Sequence, residues 1–206
     1  MDGQQFDRVA RRVAGSAPSR RTLLTVAAAA AESRLLAPTP AAAEEEVLDA
    51  RCPAPIGELQ RFQRQLVAQS FKAKHGGALV RSKVWFTEAG AGGTDNFWVS
   101  IHTTDSKGGP AARVLAEAQV SNVSNPPAGQ TTEATADFTV SAVGPARVKK
   151  GKQYALVVRG AGSDHPSLQL NLNGGCKGSV FGFNDLTGKW ERGFGDLVFE
   201  TSVERS

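Results

Sequence analysis

Cysteine is scarce in this 206-residue chain: Cys52 and Cys176 are the only two, beside a single methionine and a single tyrosine. With no CxxC pair and no HxxxH pair to complete a tetrahedral ligand set, a structural zinc site of ordinary spacing is excluded. The three histidines, His75, His102 and His165, are scattered and lack spaced partners. No G-x-S-x-G elbow is present for a serine hydrolase. The stretch from Gly144 to Lys152 is no phosphate loop, because Gly144 and Gly151 stand seven apart and Gln153 occupies the place of the metal-binding Ser or Thr. No apolar run is long enough to span a bilayer as a helix. These absences leave no recognisable catalytic constellation, and the expectation is a non-catalytic protein without a cofactor.

Hydrophobic residues make up 40% of the chain, enough to build a core. The formal charge of +4 would suit a nucleic-acid partner if it were spread along the chain. It is not. Six arginines (Arg8, Arg11, Arg12, Arg20, Arg21 and Arg34) precede residue 44 against three acids, which leaves 18 basic and 17 acidic side chains beyond it. The basicity belongs to the first segment, and no nucleic-acid partner is expected.

That first segment, residues 1–43, has a basic start, an alanine-rich stretch after Thr25-Val26 and a small-residue site at Ala41-Ala42-Ala43. This is the order of an export signal. Ser19-Arg20-Arg21 followed by Leu23-Leu24 resembles the twin-arginine signal of bacteria, which implies passage through that export machinery to the cell envelope or the medium. Glu32 and Arg34 interrupt the apolar stretch. An amphipathic helix retained on the protein and an organellar transit peptide are the alternatives. Asp2, Asp7 and Glu32 count against the transit peptide, which is usually poor in acids. In an oxidising compartment Cys52 and Cys176 can close one disulfide around a long loop, worth roughly 4–5 kcal/mol in the chain-entropy account. It requires Cα atoms within about 7 Å. Two separate buried thiols are the alternative.

Residues 44–65 read as a linker, with a possible short helix where Leu59, Phe62 and Leu66 approach helical spacing. Beyond residue 66 the rhythm has period two. Val80, Val84 and Phe86 form one such set, and Phe97, Val99 and Ile101 another. Further sets are Ala134/Ala136/Phe138/Val140, Tyr154/Leu156/Val158, Leu168/Leu170/Leu172 and Leu197/Phe199/Thr201/Val203. Turn formers separate them, among them Gly90-Ala-Gly-Gly, Asn125-Pro-Pro-Ala-Gly and Gly193-Phe-Gly. Short alternating strands with frequent punctuation predict an all-β fold for residues 66–206: an antiparallel jelly-roll-type β-sandwich of about eight or nine strands.

Several segments carry a likeness beyond the pattern: Gln69-Ser-Phe-Lys-Ala, Leu79-Val-Arg-Ser-Lys-Val, Trp98-Val-Ser-Ile-His-Thr-Thr-Asp, Val148-Lys-Lys-Gly-Lys-Gln-Tyr-Ala-Leu-Val-Val and Gly195-Asp-Leu-Val-Phe-Glu-Thr. In this order they resemble a jelly-roll module of secreted and surface-anchored bacterial proteins, akin to carbohydrate-binding and galactose-binding-like domains. The resemblance implies fold and location more than activity. Gly175-Cys-Lys-Gly departs from the usual segment before the last hairpin.

Alternation also nominates binding residues. Trp98, Ser100 and His102 point away from the Phe97/Val99/Ile101 side, and Gln169, Asn171 and Asn173 form a row of amides opposite Leu168/Leu170/Leu172. Sugars are gripped by a flat apolar ring and planar amides, so Trp98, His102, Gln169, Asn171 and Asn173 are the candidate carbohydrate contacts. They share a site only if one sheet carries both strands. The alternative is a solvated sheet face on a purely structural exported domain, and a hydrolase stands third. Asp105, Asp164, Asp185 and Asp196 lie in turns and could hold a structural calcium ion, although none sits in a ligand-spaced loop.

Overall fold

Alternating apolar residues bury one face of a strand, and two such faces must meet to leave water. The computed structural model describes residues 45–53, 60–63 (backbone alone), 66–87, 94–127, 129–141, 146–161, 167–173 and 175–205. Residues 1–44, with Arg20 and Arg21, lie outside them, as do His165 and Asp164. The described residues all fall within one unit, Glu44–Ser206. They form β1 (Glu46–Cys52), β2 (Gln60–Gln63), β3 (Leu66–Lys72), β4 (Gly77–Thr87), β5 (Thr94–Thr104), β6 (Pro110–Ser124) and β7 (Thr131–Asp137). The second half continues with β8 (Arg147–Val148), β9 (Gln153–Gly160), β10 (Ser167–Asn171), β11 (Val180–Asn184), β12 (Lys189–Arg192), β13 (Asp196–Leu197) and β14 (Phe199–Glu204). No helix occurs among the described residues.

Two antiparallel sheets result. The first runs β1-β14-β4-β10-β13, with β7 and β8 also on β4 and β2 on β10; the second runs β12-β11-β3-β9-β5-β6. The longer strands reduce to β1-β14-β4-β7 facing β3-β9-β5-β6, the interleaved order of a jelly roll. The remaining strands are short additions to that frame. Phe97, Val99 and Ile101 of β5 are buried to 1% exposure or less, facing a first sheet that supplies Leu79, Val84, Phe86, Leu168 and Leu197. Aromatic pairs cross the layer at two places. Phe86 stacks on Phe97 with centroids 4.4 Å apart, and Phe71 meets Phe199 at 5.7 Å.

Some details depart from simple alternation. In β4 the pairing with β14 slips between Ser202 and Val203: Arg81 faces Ser202 and Leu79 faces Val203, and Val80 is the extra residue of a bulge. The core therefore receives Leu79 rather than Val80, while Val84 and Phe86 keep their expected side. Val140 is 82% exposed because β7 ends at Asp137, whose carboxylate accepts from the Thr139 amide and hydroxyl and turns the chain. Leu172 is exposed for a like reason: β10 stops at Asn171, whose Oδ1 accepts from the Asn173 amide. Residues 44–65 are not simply a linker. Glu46–Cys52 pairs with β14, and Gln60–Gln63, where a helix was expected, pairs with β10 as a strand. A free sheet edge offers a ladder of backbone bonds, which outweighs the weak helical spacing.

Cys52, at the end of β1, is bonded to Cys176 in the loop before β11, with Cα atoms 5.4 Å apart and a sequence separation of 124. The link ties an edge strand of the first sheet to the connection entering the second. Replacing both cysteines by alanine should lower stability by roughly 4–5 kcal/mol if chain entropy dominates, read as a fall in the urea midpoint with a steeper slope, because the unfolded chain becomes less compact. An unchanged midpoint would contradict this.

Candidate functional site

The nominated residues divide between the two sheets. Trp98 and His102 stand on the outer face of β5 in the second sheet, whereas Gln169 and Asn171 belong to β10 in the first. They do not form one surface. Nor is Trp98 a bare platform: the Arg159 guanidinium lies 5.6 Å from its ring centroid and approaches Glu117 at 3.7 Å. The cation covers the ring face that a sugar would need. His102 Nδ1 donates to the Ala111 carbonyl at 2.9 Å, which leaves Nε2 to accept from the Ser100 hydroxyl at 2.9 Å. This has the connectivity of a nucleophile, a base and an orienting group. Ser100, however, is only 5% exposed and sits in mid-strand, paired with Val157 on one side and Glu117 on the other. The amides around it belong to the ladders, so they do not converge on an oxyanion.

On β10 the outward row is covered. Gln169 is 2% exposed and Asn171 7%. Asn171 donates to the Pro53 carbonyl and accepts from Asn173, so its amide serves the backbone; Asn173 itself is exposed in the turn. The expectation that this row points to water fails because β2 and the chain after β1 pack along β10. Two of the turn acids are likewise engaged, while Asp185 is exposed. Asp105 accepts from the Lys107 and Gly109 amides, and Asp196 accepts from Gln69. Among the described residues the one group of three potential ligands close together is Cys52, Cys176 and Asp196, and its two sulfurs are spent on the disulfide.

A cleft of about 560 Å³ opens where β1 and β14 of the first sheet meet β3 of the second. Its floor is apolar: Ala50, Phe71, Ala73, Phe199 and the Cys176 side of the disulfide. Its rim is cationic, with Arg51 from β1, Lys72 at the end of β3, Lys74 from the turn after it, Lys150 from the turn before β9, and Lys177 from the loop before β11. Arg51 is paired with Glu200 at 3.0 Å; among the described residues the four lysines have no ion-pair partner. Gly151, at φ +79°, forms the turn below Lys72, a left-handed backbone conformation that glycine adopts without strain. Sequence reading missed this site, although a signal existed. Arg51 precedes Cys52 and Lys177 follows Cys176, so the disulfide itself brings two cations to one place.

Buried polar groups hold the cleft walls. Gln69 of β3 is fully buried and points into the interlayer, where its Nε2 donates to the Ser70 carbonyl and to Asp196 Oδ1 and its Oε1 accepts from the Leu197 amide at 2.8 Å. Ser70 and Ser179 exchange backbone and hydroxyl bonds that seat the 175–179 loop on β3. A side chain at Gly178 would collide with the Ser70 carbonyl oxygen. Asp49, buried at the bulge in β1, accepts from the His75 amide at 2.6 Å and so fixes the turn that carries Lys74, while its Oδ2 has no partner. No known family model matches this chain. No curated protein is significantly similar to it.

Burial raises the Asp49 carboxyl above its ordinary value, an effect only partly offset by the amides of His75 and Lys74. An acid raised in the fold favours its neutral form there, so its contribution is greatest at low pH and is lost as pH rises through the raised value. Stability measured for the protein and for Asp49→Asn from pH 3 to pH 7 should therefore diverge in favour of the variant as pH rises. Parallel curves would show that the carboxyl does not titrate abnormally.

Proposed function

We propose that residues 44–206 are the mature part of an exported, non-catalytic jelly-roll module, delivered by a twin-arginine-type leader, that binds an anionic carbohydrate or other anionic cell-surface component in the cleft beside the disulfide. The observation that carries the reading is the concentration of charge. Beyond residue 43 the chain is nearly neutral, with 18 basic and 17 acidic side chains, yet five of the basic ones ring a single cleft. Such asymmetry raises the local concentration of anions and steers them inward. The disulfide supports export, since such bonds persist in oxidising compartments. The mid-strand setting of Ser100 supports a role without chemistry.

In a pull-down at low ionic strength, the folded 44–206 protein should be retained on beads of an acidic polysaccharide such as pectate and pass through neutral cellulose. A Lys72→Glu/Lys150→Glu/Lys177→Glu variant of unchanged circular dichroism and melting temperature should lose at least nine-tenths of that retention. Equal retention of variant and parent would overturn the assignment of the cleft.

A further inference from the structure

The five cations differ from those of a site made for one small anion. All five are exposed, and they come from four separate segments around a rim instead of converging on one point. No buried cation among them can hold a lone carboxylate or phosphate against water. An exposed ion pair contributes at most about a fivefold gain in affinity, and salt weakens it further. Useful binding at such a rim needs several contacts made by one molecule, because linked charges add their small gains without the cost of separate encounters. The volume points the same way. About 560 Å³ is far more than one anionic group fills, and lies in the range that takes several linked rings.

Resting on the cleft reading above, we infer that the ligand is an extended acidic polysaccharide, a chain with a negative group on successive sugars, and that the cleft recognises its repeat and not its end. The hydrogen-bonding character of the rim selects among polyanions. Lysine and arginine side chains are donors only, and the Ser70 hydroxyl is already bonded to Ser179. A donor-only rim suits a chain rich in acceptors: carboxylate, ring and glycosidic oxygens. The hydroxyls of such a chain can turn to accept, whereas a peptide brings with nearly every residue an N–H that can only donate and must find its partner elsewhere. A nucleic acid would seek exposed rings on which to stack its bases. The aromatic residues at this floor, Phe71 and Phe199, are each 2% exposed and packed on one another, so they offer a platform neither to a base nor to a neutral sugar, and recognition falls to the charged groups.

Length separates this inference from the reading beneath it. Titration calorimetry of the folded 44–206 protein at low ionic strength would use oligogalacturonates of one, two, four and six residues, with a hexaglutamate and a single-stranded thymidine hexanucleotide as comparators. Affinity should rise at least tenfold from dimer to hexamer, and the hexamer should bind at least fivefold more tightly than either comparator. The Lys72→Glu/Lys150→Glu/Lys177→Glu variant should lose the length dependence. A monomer that binds as tightly as the hexamer, with binding abolished in the variant, would overturn the polymer and leave the cleft in place. A comparator that equals or exceeds the uronate hexamer would overturn the saccharide assignment. Binding of the hexamer that is unchanged in the variant, or no binding of any probe, would overturn both readings.

Discussion

The buried amide of Gln69 is the contact on which the cleft end of the sandwich depends. It stands at a core-facing position of β3, beside Val67 and Phe71, where an apolar residue would be the simpler choice. Instead it reaches across the interlayer and uses its donors and acceptor on Ser70, Asp196 and Leu197. Removing one partner from such a set leaves a buried amide or carboxylate unsatisfied, at about 1–3 kcal/mol for each group. The contact therefore pins the start of β13, and through it β14, to the second sheet. Two further links lie beside it, the Ser70–Ser179 exchange and the disulfide. The walls of the cleft are thus held by interactions of three kinds, none of which relies on the rim lysines.

This separation gives the cleft its electrostatic character. The fold is secured below the rim by apolar burial, the disulfide and buried hydrogen bonds, so the lysines remain exposed and, among the described residues, without an ion pair. Three cations elsewhere on the surface are matched: Arg81 with Glu46 at 3.0 Å, Lys83 with Glu133 at 2.8 Å and Arg159 with Glu117 at 3.7 Å. Those pairs lie on exposed strands, where they add little stability.

Much of the architecture was legible in the sequence, because period-two burial is a direct consequence of strand geometry. The sets on β5, β9 and β14 face the core as expected, and the cysteines pair. What was not legible came from interactions between distant segments. The bulge that exchanges Val80 for Leu79 depends on pairing with β14, more than a hundred residues away. The strands in residues 46–63 form because the first sheet offers them partners. The amides of β10 look solvated on parity alone, and only the packing of β2 and Pro53 along them removes them from water. The cleft is harder still, since its cations are ordinary surface residues until β1, β3 and two turns are brought together.

The central claim, that several rim cations act together on one polyanion, is tested most directly by the salt dependence of binding. Affinity for polygalacturonate would be measured between about 20 and 200 mM salt, and its logarithm plotted against that of the salt concentration. Each ion contact contributes a slope of roughly 0.7–0.9 through counterion release. The account predicts a slope of about 3 or steeper for the protein, reduced by somewhat under one for each of Lys72→Met, Lys150→Met and Lys177→Met. A slope near zero, or one that those three substitutions leave unchanged, would contradict it.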